Sequence, residues 1–367
     1  MKILVVRLGM LGDSMFIVPA LKAIRAKYPH ATITGLFSPK GATILPAMGL
    51  LPGVLDAIKV YDVYHPNIAK WSVGRFLQKT PFDLLVNFDI DAGLYAFLLQ
   101  KGRFAEIWRM VRENVSDGTR QQRQVAIGDC PHIAAQYTQL VTETLPTSVS
   151  YLLATIDPKI QKKSEKFQRD LRGKRDAFLV GIHPGNHSQD TNTLFQKKSF
   201  DPRAWTREAT IGYAMRISAA FPGTRFVLTG GWYERKLTRP LLKAFREKGL
   251  DVVDVSGKTK HVTDLMALLL SLDVYVSGDT GPMHIASSLG VPQIGLFFST
   301  NRNDTGPLGD PSKACAVVSP IPCAPCLHTS HEKQCPVETN CVLELTDKVA
   351  FDRSKSFIRH LYEKVNP

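Results

Sequence analysis

Lys2-Ile3-Leu4-Val5-Val6-Arg7-Leu8-Gly9-Met10-Leu11-Gly12-Asp13 is the stretch that decides the fold. Ile3–Val6 is an unbroken apolar run, the pattern of a strand buried on both faces. It passes through the glycine-containing loop Arg7–Asp13 into Ser14–Tyr28, where Ile17, Ala20, Leu21 and Ile24 recur at helical spacing. Pro19 falls near the start of that helix, where a proline is tolerated with a bend. Thr32–Phe37, Leu55–Tyr61 and Leu84–Phe88 read as further strands. Buried strands joined by helices predict an α/β chain with a mostly parallel sheet covered on both faces.

A basic segment from Lys159 to Asp176 interrupts this pattern and includes helix; beyond it the pattern restarts. Strands are predicted at Ala177–Ile182, Arg225–Leu228, Val252–Asp254, Val274–Val276 and Gln293–Phe297. Helices are predicted at Arg207–Ala220, Leu241–Lys248 with Pro240 just before it, Thr263–Leu270 and Pro282–Leu289. A chain of 367 residues suits two domains better than one. The expected division is 1–158, a basic connection 159–176, a second βα domain 177–345 and a helical tail 346–367. A cleft between the two domains is the expected meeting place of two substrates.

The composition, 44% hydrophobic and 22% charged, excludes a disordered chain. The most apolar windows, Leu265–Ser277 and Ile285–Ser299, are broken before they reach the length of a bilayer span. Met1–Val6 is too short for a signal peptide, so a cytoplasmic protein is expected. The formal charge of +13 favours anionic partners: an acidic membrane face, a phosphorylated glycolipid or a nucleotide diphosphate. Nucleic acid is the least favoured, because no zinc-finger spacing, RNA-binding aromatic motif or long basic arm accompanies the charge.

Gly9 and Gly12 alone do not make the G-x-G-x-x-G dinucleotide fingerprint, and the second strand ends in Leu36-Phe37-Ser38 without an acid. A nicotinamide or flavin enzyme is therefore disfavoured. Asp13 stands at the start of a helix, where a carboxylate is favoured. It is read either as the N-cap of that helix or as a general base, and the two roles are compatible. Gly278-Asp279-Thr280-Gly281-Pro282-Met283-His284 links a strand to a helix whose first turn accepts Pro282. Loop amides, the Thr280 hydroxyl and the helix end suit phosphate oxygens; Asp279 and His284 are equally readable as a turn residue and a packed histidine. His183-Pro184-Gly185-Asn186 is a predicted exposed turn, and Lys197 and Lys198 follow in a polar loop from which a lysine would reach a diphosphate. Gly230 and Gly231 precede Glu234, read either as a ribose or base contact or as a surface acid beside Arg235. Several polar loops at strand carboxyl ends together mark the ligand edge of an open sheet. Cys323, Cys326, Cys335 and Cys341, with His328 and His331 nearby, have the composition of a structural zinc or iron site; a redox pair or unligated cysteines are the other readings.

Taken together, these motifs resemble glycosyltransferase family 9, the bacterial ADP-heptose:lipopolysaccharide heptosyltransferases. The resemblance rests on Lys2–Gly9 with Gly12 and Asp13, on His183-Pro184-Gly185, on Lys198 with Trp205, and on Gly278–Gly281 with His284. It implies a GT-B fold, two Rossmann-like domains facing across a cleft, and inverting transfer that requires no metal. It implies Asp13 as catalytic base and Lys198 on the donor phosphates. Gly12, Gly185, Asp279, Thr280, Gly281 and His284 fall in its donor-binding turns, and Glu234 at its nucleoside contact. Lys260 falls where the family packs an apolar residue against adenine. The implied partners are a nucleotide-sugar donor such as ADP-heptose, and an acceptor in the lipopolysaccharide core of a Gram-negative bacterium or another anionic glycolipid. Peripheral contact with the cytoplasmic face of the inner membrane is implied, and no nucleic acid. A nucleotide-sugar epimerase, a transferase of another hexose and a non-catalytic saccharide-binding protein are the competing readings.

Overall fold

The structure is a computed structural model that describes residues 1–112, 122–127, 132–173, 176–185, 204–326 and 340–366. It divides into two compact units, Met1–Tyr151 and Leu152–Pro367.

In the first unit the strands are β1 (Lys2–Arg7), β2 (Thr32–Phe37), β3 (Ala57–Val60), β4 (Phe82–Asn87), β5 (Phe104–Val111) and β6 (Gln122–Ala126). They form one parallel sheet in the order β3-β2-β1-β4-β5-β6. Ile3, Leu4, Val5 and Val6 are fully buried, as an apolar central strand with helices on both faces requires. In the second unit β7 (Phe178–His183), β8 (Thr224–Leu228), β9 (Val252–Asp254), β10 (Val274–Gly278), β11 (Gln293–Phe297) and β12 (Ala314–Val318) repeat the arrangement as β12-β11-β10-β7-β8-β9, again all parallel. Counted within each unit, both sheets have the doubly wound order 3-2-1-4-5-6. The order reverses between β1 and β4 and between β7 and β10, and ligands of such sheets bind at the strand carboxyl ends beside that reversal.

The basic segment folds as a helix, Pro158–Arg172, that lies on the helix Val262–Leu270; Lys163 pairs with Asp264 and Arg172 with Asp273 at 2.6 Å. The last helix, Asp347–Val365, buries Ala350, Phe351 and Ile358 in the core of the second unit. Trp205 there donates its indole N–H to the Leu345 carbonyl at 2.7 Å, and Tyr213 shares a 2.8 Å hydrogen bond with Ser354. No described helix is long and apolar enough to cross a membrane.

Four local expectations are corrected. The single helix Ser14–Tyr28 is two, Leu11–Phe16 and Val18–Lys27, because Pro19 has no N–H to continue the ladder. Leu55–Tyr61 contracts to β3. Pro240 lies inside the helix Arg235–Glu247, not before it. The buried Thr238 hydroxyl bonds Ser256 at 2.8 Å and anchors the first turn across the missing donor. The strands β5, β6 and β12 were not foreseen. In β5 the charged Glu106 and Arg109 break the apolar run, yet Trp108 is buried beneath Lys27 and Arg123, 5.0 and 4.0 Å from its ring centre.

Candidate active-site residues at the two strand reversals

Arg7 is the last residue of β1, and Asp89 follows β4 by two residues. The strand reversal therefore sets them side by side. The Arg7 guanidinium donates to Asp13 Oδ1 at 2.9 Å and to Asp89 Oδ1 at 3.0 Å, with the Tyr137 ring 5.4 Å away. Asp89 Oδ2 accepts the Leu8 N–H at 2.6 Å, and Asp13 Oδ2 accepts the Met10 N–H at 2.9 Å. Burial opposes the Arg7 charge, but Tyr137, Asp13 and Asp89 outweigh it and hold the guanidinium pKa above its ordinary value. Burial pushes the Asp89 carboxyl above the usual carboxylate range, against the pull of Arg7. Burial likewise pushes the Tyr137 phenol up to about 12. Asp13 differs from its neighbours in access: its side chain is 40% exposed, so a substrate hydroxyl can reach it.

Asp13 is not the N-cap. Met10 holds that position and Asp13 is the third helical residue, its carboxylate closing the first turn from within. Gly12 is half-buried in the same turn. Gly9 makes the arrangement possible: a Cβ on it would overlap Asp13 Cβ and stand 2.8 Å from Asp13 Cγ. Gly9→Ala is therefore expected to lower the unfolding free energy by about 1–3 kcal/mol. A urea midpoint equal to that of the parent protein would show that the loop yields without strain.

The second unit builds its site on three neighbouring strands, β10, β7 and β8. Asp279 follows β10 and faces His284 on the helix Gly281–Ser288, Oδ1 to Nε2 3.3 Å. Thr305 donates to Asp279 Oδ2 at 2.7 Å. Burial would raise the Asp279 carboxyl, but His284, Thr305 and Thr300 hold it below the usual range. The Thr280 hydroxyl lies 2.9 Å from Ser277 Oγ. Pro282 has no N–H, and that of Met283 returns to the Thr280 carbonyl at 3.0 Å. The amides of Thr280 and Gly281 are thus the donors the turn offers an anion.

His183 and Glu234 correct two sequence readings. His183 is the buried last residue of β7, not part of an exposed turn. Glu234 is 5% exposed, not a surface acid. Its Oε2 accepts the Gly231 N–H at 2.6 Å and its Oε1 lies 3.6 Å from His183 Nε2. Gly185 is buried beside Trp205, Val276 and Gly278 around a narrow cavity at the same sheet edge. Lys260 is exposed, and its backbone N–H donates to Asp264 at 3.1 Å.

Residues 222–336 match the family described as Glycosyltransferase family 9 (heptosyltransferase). A lipooligosaccharide heptosyltransferase 2 of Campylobacter jejuni is 22% identical over 198 residues, 53% of this chain and 56% of that protein; the match spans about half the length of that relative. The family match thus lies within the second unit of the chain. Among solved structures, a family 9 glycosyl transferase from Veillonella parvula superposes with a TM-score of 0.75 at 18% identity, covering 99% of this chain and 97% of that one. The ADP-heptose lipopolysaccharide heptosyltransferase II of Escherichia coli gives 0.65 at 16% identity, covering 96% and 100%. These likenesses show the fold, two Rossmann-like units of the GT-B type.

Lys197, Lys198 and Cys335 lie outside the described residues, as do Asn186, His328 and His331. Cys323 is exposed, Cys326 half-buried and Cys341 buried. Among the described residues no three His, Cys, Asp or Glu side chains gather as a metal-ligand set. Sequence reasoning passed over Arg7 and Asp89 as site residues. The signal that finds them is simple: each is among the first polar residues after a buried apolar strand, at the edge where open sheets bind ligands.

Proposed function

We propose that this protein is an inverting glycosyltransferase that moves heptose from ADP-heptose to the inner core of lipopolysaccharide or a similar anionic glycolipid, on the cytoplasmic side of the inner membrane. The observation that carries this reading is Asp13: a carboxylate held by Arg7 and the Met10 amide at the carboxyl end of β1, yet open to solvent.

The acceptor hydroxyl attacks the anomeric carbon of the donor while Asp13 takes the hydroxyl proton. The new carbon–oxygen bond forms as the bond from that carbon to the diphosphate breaks, and the bond pair leaves with the nucleoside diphosphate. Lys198 and the amides of Thr280 and Gly281 meet the charge that grows on the diphosphate. Asp279 and His284 hold the turn that presents those amides. Gly185 is assigned to the close approach of the donor, and Glu234 and Lys260 to its nucleoside end. The step draws on no metal, since lysine and helix-end amides stabilise the leaving group.

The test is nucleoside diphosphate release from a panel of nucleotide sugars, ADP-heptose included, with and without truncated lipopolysaccharide. Release from ADP-heptose that depends on the acceptor is the expected result. Release that ignores the acceptor would point to a hydrolase or epimerase. No release from any donor by folded protein would leave a binding protein.

A further inference from the structure

We propose that the face formed by the helices Pro66–Lys79 and Ala92–Lys101 of the first unit docks on an anionic phospholipid bilayer. This goes beyond the transfer reaction and does not depend on which sugar is moved.

Charge is the first observation. Between Asp62 and Asp83, and again between Asp91 and Glu106, the chain contains no acid. Those two segments carry Lys70, Arg75, Lys79, Lys101 and Arg103. Lys70, Arg75 and Lys79 lie along the helix Pro66–Lys79, and Lys101 closes the helix Ala92–Lys101. A field of one sign with no acid among its cations attracts an external anion.

Apolar exposure is the second. The helix Pro66–Lys79 buries Ala69, Val73 and Leu77 in its own core, so that face is already satisfied. On the water side Ile68 is 67%, Trp71 64% and the preceding Tyr64 55% exposed. The Arg75 guanidinium lies 5.0 Å from the Trp71 ring centre. Tryptophan, tyrosine and long cationic side chains share the headgroup zone of a membrane, rings lying in the interface and charges reaching phosphates.

Shape is the third. An open groove of about 660 Å³ between the two helices is lined by Trp71, Ala96 and Phe97 together with Lys70 and Lys101. A lining that combines apolar and cationic side chains matches a phospholipid, whose phosphate sits beside its glycerol and upper acyl carbons. A nucleic-acid backbone would engage the cations but leave Ile68 and Trp71 without a partner. Both helices begin at the carboxyl ends of β3 and β4, the sheet edge that carries Arg7, Asp13 and Asp89.

The test is co-sedimentation of the full chain with phosphatidylcholine vesicles, with and without phosphatidylglycerol. Binding that requires phosphatidylglycerol and weakens with salt is expected. Lys70→Glu with Arg75→Glu is expected to weaken it by about five-fold or more for each charge. Ile68→Ser with Trp71→Ser is an independent variant expected to weaken binding that survives in salt. All four side chains are exposed, so the variants are expected to keep the parent's thermal melt. No sedimentation with anionic vesicles, or equal sedimentation of parent and variants, overturns the proposal. So does patch-dependent binding of a DNA duplex in the absence of vesicle binding.

Discussion

Asp13→Asn is expected to lower the rate of acceptor-dependent nucleoside diphosphate release by about 10²–10⁴-fold, the usual contribution of a positioned general base. Asparagine has nearly the same shape, and its carbonyl can still accept the Met10 N–H that Asp13 accepts at 2.9 Å. What it lacks is a carboxylate oxygen able to take a proton. The Arg7 guanidinium keeps Asp89 at 3.0 Å, so its charge stays compensated. Because the Asp13 side chain is 40% exposed, the lost ion pair is screened, and the stability change should stay within about 1 kcal/mol. Single-turnover rates and a urea unfolding curve on one preparation separate the two effects. Donor affinity, read as ADP binding, should be unchanged. A rate within a few-fold of the parent in a folded variant would remove Asp13 from the mechanism.

Arg7→Met is expected to lower the unfolding free energy by about 3–5 kcal/mol at neutral pH, because it breaks a buried charge network by removing one partner. Methionine fills much of the arginine stem's volume, so the loss reports on charge rather than on a cavity. Two carboxylates would remain, and Asp89 is the costly one: only 14% of its side chain is exposed. Burial already raises its carboxyl against the pull of Arg7, and without Arg7 it rises further. A carboxyl whose pKa is raised by folding takes up a proton on folding, so its penalty is complete above the folded pKa and vanishes as pH falls through that value. The gap between parent and variant should therefore narrow in acid. Urea unfolding at neutral and acidic pH measures it. A gap that widens in acid would show that Asp89 is not the source. Adding Asp89→Asn to Arg7→Met should restore part of the lost stability, since the stranded charge is gone.

The division between sequence and tertiary structure follows the range of the forces involved. Ile3–Val6 was legible because a strand buried on both faces is a near-continuous apolar run, whatever surrounds it. Arg207–Ala220 was legible from its own spacing, and the Thr280–Gly281–Pro282 turn from the rule that proline fits a first helical turn. Such features are settled by neighbours along the chain. Others are not. That Arg7 lies between Asp13 and Asp89 depends on β1 pairing with β4 across some eighty residues of intervening chain. That Glu234 is buried beside His183 depends on β7 pairing with β8. The strand β5 carries charges that meet aromatic partners: Glu106 accepts the Trp108 indole N–H, and the Arg109 guanidinium lies 4.2 Å from the Tyr95 ring centre on the helix Ala92–Lys101. The sequence by itself determined the α/β class, the parallel sheets and the two glycine–aspartate turns, because local periodicity and turn chemistry carry that information. Only the tertiary structure decided which charges meet at those turns, because partners remote in sequence become neighbours only when the strand order is set.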